Sequence, residues 1–142
     1  MEQVKLFREN TRRLRMSLAD ISRTDCCCCI SDAQCFVLVE IGRNADISVK
    51  KLAEILQLDK SGISRTVEGL VKKGLVKRNP SKEDRRYVVL NLTKKGSEKY
   101  QKIENDMNRK FAEILDRIPE DKRDQVIESL QLFNAACSKE EI

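Results

Sequence analysis

A chain of 142 residues with 36% charged side chains, 4% aromatics and no Trp suits one domain with helical Leu, Ile and Val seams, and disfavours a sheet-rich fold. The charged opening Met1-Glu2-Gln3-Val4-Lys5 does not suit a secretory signal, and no apolar run is long enough to span a bilayer, so the expectation is a soluble, cytoplasmic protein without membrane contact. Net charge is +5, yet residues 60–99 hold 12 of the 28 Lys and Arg against 4 of the 23 acids, a local +8 that suits a polyanion, where a merely solvated surface is the plainer alternative.

Val4, Phe7, Leu14, Leu18 and Ile21 recur at helical spacing and predict a first helix over about residues 4–23. Ser31-Asp32-Ala33-Gln34 reads as a capping box, in which a Ser at the N-cap and a Gln three residues on satisfy two orphan backbone donors. Ile30 and Cys35 then hold the positions of a hydrophobic staple, and Phe36-Val37-Leu38-Val39 with Ile41 continues a helix that ends between Gly42 and Ala45. A short helix fits Ser48 to Leu56, with Leu52, Ala53 and Leu56 inward. Asp59 caps a fourth running to about Lys73, whose Ile63, Val67, Leu70 and Val71 share a face, and Gly74 ends it.

The period then changes. Leu75-Val76-Lys77-Arg78 and Tyr87-Val88-Val89-Leu90-Asn91-Leu92 read as strands around the polar loop 79–86, a β-hairpin. Thr93 caps a long helix to about Arg117 with Ile103, Met107, Phe111, Ile114 and Leu115 inside. Pro119 interrupts it, and a last amphipathic helix from about Glu120 carries Val126, Ile127, Leu130 and Phe133. A tight helix pair followed by a hairpin is a winged helix-turn-helix, so the fold class is mainly α with a small β-hairpin wing.

That order gives the basic segment a task. With Ile63, Val67 and Leu70 inward, Ser61, Ser64, Arg65, Glu68 and Lys72 point out. Small hydroxyls let a helix sit deep in a major groove of double-stranded DNA, and Arg65 can pair with guanine O6 and N7. On the wing, Asp84 and Arg86 lie two apart on one side of an extended segment, so the carboxylate can brace the guanidinium for a narrow minor groove while Lys82 and Arg85 meet phosphates. An ordinary surface ion pair is the alternative. The terminal helices are too amphipathic to stand alone on so small a winged core, which calls for a homodimer reading a pseudo-palindromic site.

Leu52-Ala53 through Ser64-Arg65 to Leu70-Val71-Lys72-Lys73-Gly74-Leu75-Val76, then Asp84-Arg85-Arg86 and Leu92-Thr93-Lys94-Lys95-Gly96, resembles the MarR family of bacterial and archaeal regulators. In element order the resemblance spans nearly the whole chain, as a single domain with residues 31–93 as DNA-binding lobe and 1–30 and 94–142 as dimerisation helices. It implies an obligate dimer with two lobes on successive major grooves. The family's recognition-helix role falls on Ser61, Ser64 and Arg65, and its wing motif on Asp84 and Arg86. The resemblance further implies a repressor that releases DNA when an inducer ligand or oxidant acts near the junction of lobe and dimer.

The cysteines are not general to that architecture. Cys26-Cys27-Cys28-Cys29, Cys35 and Cys137 occur in a chain with no His, so a site built by this cluster is sulfur-rich. Soft ions suit it: arsenic, antimony, copper, cadmium, or zinc in an all-sulfur site. A helix start at Cys35 favours thiolate. Oxidant sensing competes with metal binding, packing alone stays open, and so does an organic inducer with structural cysteines. A thiol redox enzyme is the rival of another class, but there is no Cys-x-x-Cys framed by a βαβ pattern, no His base and no Gly-rich phosphate loop. A winged helix used only for protein contacts, or a soft-metal buffer, predicts weak and salt-insensitive DNA binding.

Overall fold

The computed structural model describes residues 1–22 and 30–138. Six helices and one hairpin follow in order: α1 (Glu2–Ser22), α2 (Asp32–Arg43), α3 (Val49–Leu56), α4 (Lys60–Lys72), β1 (Val76–Pro80), β2 (Val88–Leu92), α5 (Lys94–Arg117) and α6 (Arg123–Cys137). A single 3₁₀ turn over Glu120–Lys122 precedes α6. This is the predicted winged helix-turn-helix, helical with one two-stranded antiparallel hairpin. No described helix is long and apolar enough to cross a membrane.

The caps are formed by the residues whose chemistry predicts them. Ser31 Oγ accepts from the Gln34 N–H while Gln34 Oε1 accepts from the Ser31 N–H, the full capping box. Ser48, Asp59 and Thr93 accept from the N–H groups of Lys51, Gly62 and Gly96 in turn. At the end of α4, the Leu75 N–H bonds the Leu70 carbonyl at 3.0 Å and the Gly74 N–H bonds that of Val71 at 3.0 Å. Gly74 has a φ of 74°, so the helix closes with a left-handed residue that suits glycine.

Among the described residues, twelve of the thirteen buried core side chains fall between Ile30 and Leu90, and only Ile103 of α5 joins them. α2 packs on α4, α3 and α5, and the hairpin packs on α2 and α4. Register runs from Val76 opposite Leu92 to Pro80 opposite Val88, and Leu90 N–H also bonds Ile47 O at 2.7 Å. A third, one-residue edge thereby ties the wing to the turn after α2. A Cβ on Gly96 would stand 1.8 Å from the Leu75 carbonyl oxygen, so only glycine lets α5 start hard against the end of α4.

Some expectations shift. β1 starts one residue later than predicted and takes Asn79 and Pro80 from the loop, while Tyr87 lies outside β2 and is exposed. Pro80 is tolerated at a strand terminus, where no ladder N–H is needed. Phe36 is exposed, because α2 buries only the Val37, Leu38 and Ile41 stripe. Phe111, expected inside α5, is 46% exposed, and Val126, Ile127 and Leu130 of α6 are likewise open. Met107 is the last α5 side chain packed against the lobe core, so Phe111 lies beyond that contact. Phe7 and Phe133 do meet, with ring centres 5.7 Å apart.

Candidate nucleic-acid interface

The sequence-predicted residues fall on two exposed features. Ser61, Ser64, Arg65 and Lys72 lie along one open stripe of α4, opposite Ile63, Val67 and Leu70, which anchor the helix in the core. The stripe follows from spacing, since steps of three and four residues stay on one helical face. Lys72 is set apart, about 16 Å along the axis from Ser61 at 1.5 Å per residue.

Ser61 is not a loose hydroxyl. Its Oγ–H donates to Asp59 Oδ2, which also accepts the Gly62 N–H at 3.0 Å. The Ser61 hydroxyl first, then the Gly62 amide, hold the Asp59 carboxyl below its ordinary range. Ser61 keeps its oxygen lone pairs for an incoming donor while the cap fixes where they point.

On the wing, the brace predicted from spacing is formed. Arg86 Nε donates to Asp84 Oδ1 at 3.1 Å, Nη2 donates to Oδ2 at 2.8 Å, and the Arg86 N–H donates to Oδ1 at 3.1 Å. The guanidinium, followed by that amide, lowers the Asp84 carboxyl, and the carboxylate raises Arg86. With Asp84 half-buried and the Arg86 side chain 85% exposed, an oriented cation projects from a fixed base. Lys82 and Arg85 stand exposed beside it.

A contact between the two features escapes sequence reading. Arg78 Nη2 on β1 donates to Glu68 Oε2 on α4 at 2.7 Å, ten residues away across the turn at Gly74. The Arg78 hydrogen bond, reinforced by its charge, lowers the Glu68 carboxyl. Helical spacing places Glu68 on the outward face and says nothing of this partner. A pair that crosses from helix to strand has no fixed spacing to announce it.

The cysteines separate. Cys26–Cys29 lie outside the described residues. Cys35 is half-buried in α2 and packs against the core. It lines a cleft of about 270 Å³ between α2 and α5 with Phe36, Val39, Arg43 and Met107. Arg43 Nη2 crosses that junction to Glu104 Oε1 at 3.3 Å. Cys137 is exposed near the end of α6. Among the described residues no three His, Cys, Asp or Glu stand together as a metal site.

Comparison with known proteins agrees with this geometry. The MarR family model matches residues 30–86, the span from the start of α2 to the braced arginine. The transcriptional regulator BilQ of Clostridium symbiosum is 26% identical over 96 residues, covering 68% of this chain and 67% of BilQ. The transcriptional repressor MdtR of Bacillus subtilis is 28% identical over 74 residues, 52% of this chain and 48% of MdtR. These relatives are transcriptional regulators, not enzymes. In fold, the chain superposes on Streptococcus pneumoniae FabT, solved in complex with DNA, with a TM-score of 0.80 over 97% of both chains at 19% identity.

Proposed function

We propose that this chain, whose residues 30–86 match the MarR family of transcriptional regulators, is a homodimeric repressor that reads a pseudo-palindromic operator and answers a soft metal, metalloid or oxidant. The observation that carries the DNA reading is the oriented cation at the wing, Arg86 held to Asp84 by hydrogen bonds from its Nε, Nη2 and backbone N–H, beside the open Ser61, Ser64 and Arg65 stripe. In this reading α4 enters a major groove, with Ser61, Ser64 and Arg65 at base edges or phosphates. Arg86 enters the flanking minor groove, where a narrow channel concentrates negative potential. Lys72, Lys82 and Arg85 neutralise phosphates, which makes affinity steeply salt-dependent.

Support for the dimer is the apolar surface left open on the arms, including Val4, Phe7, Phe111, Ile127 and Leu130. Residues 1–30 and 94–142 are then the dimerisation helices and 31–93 the lobe. MdtR is named a repressor and FabT was solved on DNA, which favours the same role here. Support for a sensing role is the position of Cys35 on the wall of the α2–α5 cleft, where lobe meets arm. A link there, formed with Cys26–Cys29 or Cys137, alters the spacing of the lobes and takes two recognition helices off successive grooves. An organic inducer in the same cleft, with packing cysteines, is the competing input.

One experiment tests both levels. Fluorescence anisotropy of reduced protein on duplex DNA from upstream of its own gene is expected to show tight, salt-sensitive binding that arsenite or a mild oxidant abolishes. Replacing Cys26–Cys29 and Cys35 by Ser is expected to keep binding and remove the response. Weak, salt-insensitive binding would defeat the regulator reading. A response surviving in the Ser variant would defeat only the cysteine mechanism.

A further inference from the structure

The stripe of α4 assigned to the groove carries one acid. Glu68 lies seven residues beyond Ser61 and three beyond Arg65, two turns or about 10 Å down the helix on the same side. A bare carboxylate there faces the phosphates of any duplex that α4 enters, and like charges set together at an interface cost affinity. In this protein it is not bare, because Arg78 Nη2 sits 2.7 Å from Glu68 Oε2.

Both backbones behind this pair are fixed. Ile63, Val67 and Leu70 lock α4 into the core. Arg78 is in register with Leu90, which is fully buried and whose N–H is held by the Ile47 carbonyl. Directly opposite residues share a face of the sheet, so Arg78 rises from the side of the hairpin that packs on α4. The two side chains keep 42% and 48% of their surface open, so the bridge stands at the surface, between recognition helix and wing.

Building on the reading of this chain as a DNA-binding regulator, we infer that Glu68 and Arg78 are a positioning pair for DNA recognition. Arg78 masks the one carboxylate on the groove-facing stripe, so that α4, already fixed by the core, meets the phosphates without a bare negative charge. Arg78 spends its charge on Glu68 and contributes no phosphate contact of its own.

A double-mutant cycle on full-length protein, read by anisotropy on the upstream duplex over a range of salt, separates this from its rivals. Arg78→Gln is expected to weaken binding about tenfold or more, because it exposes the carboxylate to the phosphates. Glu68→Gln is expected to bind as well as or better than the original, with a salt slope steeper by up to about one, since a freed Arg78 can then displace a counterion. The double variant is expected within about threefold of the original, the coupling expected of two groups in direct contact. The Glu68→Gln slope does not depend on Arg78 variants folding, and thermal melts report any loss of structure apart from binding.

Equal weakness of Arg78→Gln and the double variant would make Arg78 a plain phosphate contact and overturn the pairing. Loss of affinity on Glu68→Gln would make Glu68 a base-reading group and overturn the pairing as well. If the unaltered protein does not bind duplex DNA, the regulator reading falls and the pair with it. If it binds and the cycle is additive, only the pair falls.

Discussion

The lobe and the arms spend their apolar residues in opposite ways. From α2 to β2 the chain turns Val37, Leu38, Leu52, Ile63, Val67, Leu70 and Leu90 inward to 1% exposure or less. Among the described residues, α1 and α6 bury no side chain fully, and they leave Val4, Phe7, Leu14, Leu18, Val126, Ile127, Leu130 and Leu132 at least 36% open. Both regions are amphipathic, so the contrast is one of completeness. The lobe closes on itself around crossing helices and a hairpin. The arms leave an apolar face open, and the proposed dimer rests on that face.

The contrast predicts two kinds of mutational response. The largest effect belongs in the lobe, where Leu70→Ala empties a site with no exposure and costs about 4 kcal/mol, in the range of large-to-small core changes. Chemical denaturation followed by circular dichroism checks it, and a cost below about 1 kcal/mol would mean the lobe core is not close-packed as described. Next comes the arm. Ile127→Glu is expected to leave the lobe folded but weaken self-association by about 3 kcal/mol, because an unpaired carboxylate is forced into an apolar contact. Sedimentation velocity at micromolar concentration would show a dimer becoming a monomer. Unchanged association would place Ile127 outside the interface and weaken the case for arm-mediated pairing.

The same contrast explains what can be read from sequence. The lobe is legible because its signals are local. Ser31 with Gln34, Ser48, Asp59 and Thr93 cap within three residues, Gly74 stops α4 by its own backbone freedom, and Asp84 with Arg86 pair two apart. Each of these is a short-range constraint that carries over to three dimensions unaltered. Arg78 with Glu68 and Arg43 with Glu104 are not legible, because separations of ten and 61 residues are set by packing and not by period. Phe111 shows the other limit. Its helical spacing marks it as apolar-facing, but spacing does not say whether the surface it faces belongs to its own chain.

A final and smaller effect sharpens the lobe side of the comparison at its most exposed cap. Asp59 starts the recognition helix from the surface, where the Ser61 hydroxyl and the Gly62 amide both favour its ionised form and lower its pKa from the ordinary carboxylate value. The sign follows from linkage. A depressed folded-state pKa means that the unfolded chain takes up the proton first, so the contribution is complete above the unfolded value, about 4, and fades as pH falls through the lower folded one. Glu68 and Asp84 are shifted the same way and add to the same acid limb. Asp59→Asn keeps an oxygen acceptor for Gly62 but cannot ionise, so it should lower stability slightly near neutral pH, converge with the original protein at the acid end, and so flatten the acid limb. Thermal melts of both proteins from pH 7 down to about 3 check this. A difference that stays constant across that range would mean the cap acts through hydrogen bonding alone, with the charge on Asp59 contributing nothing to how α4 is held.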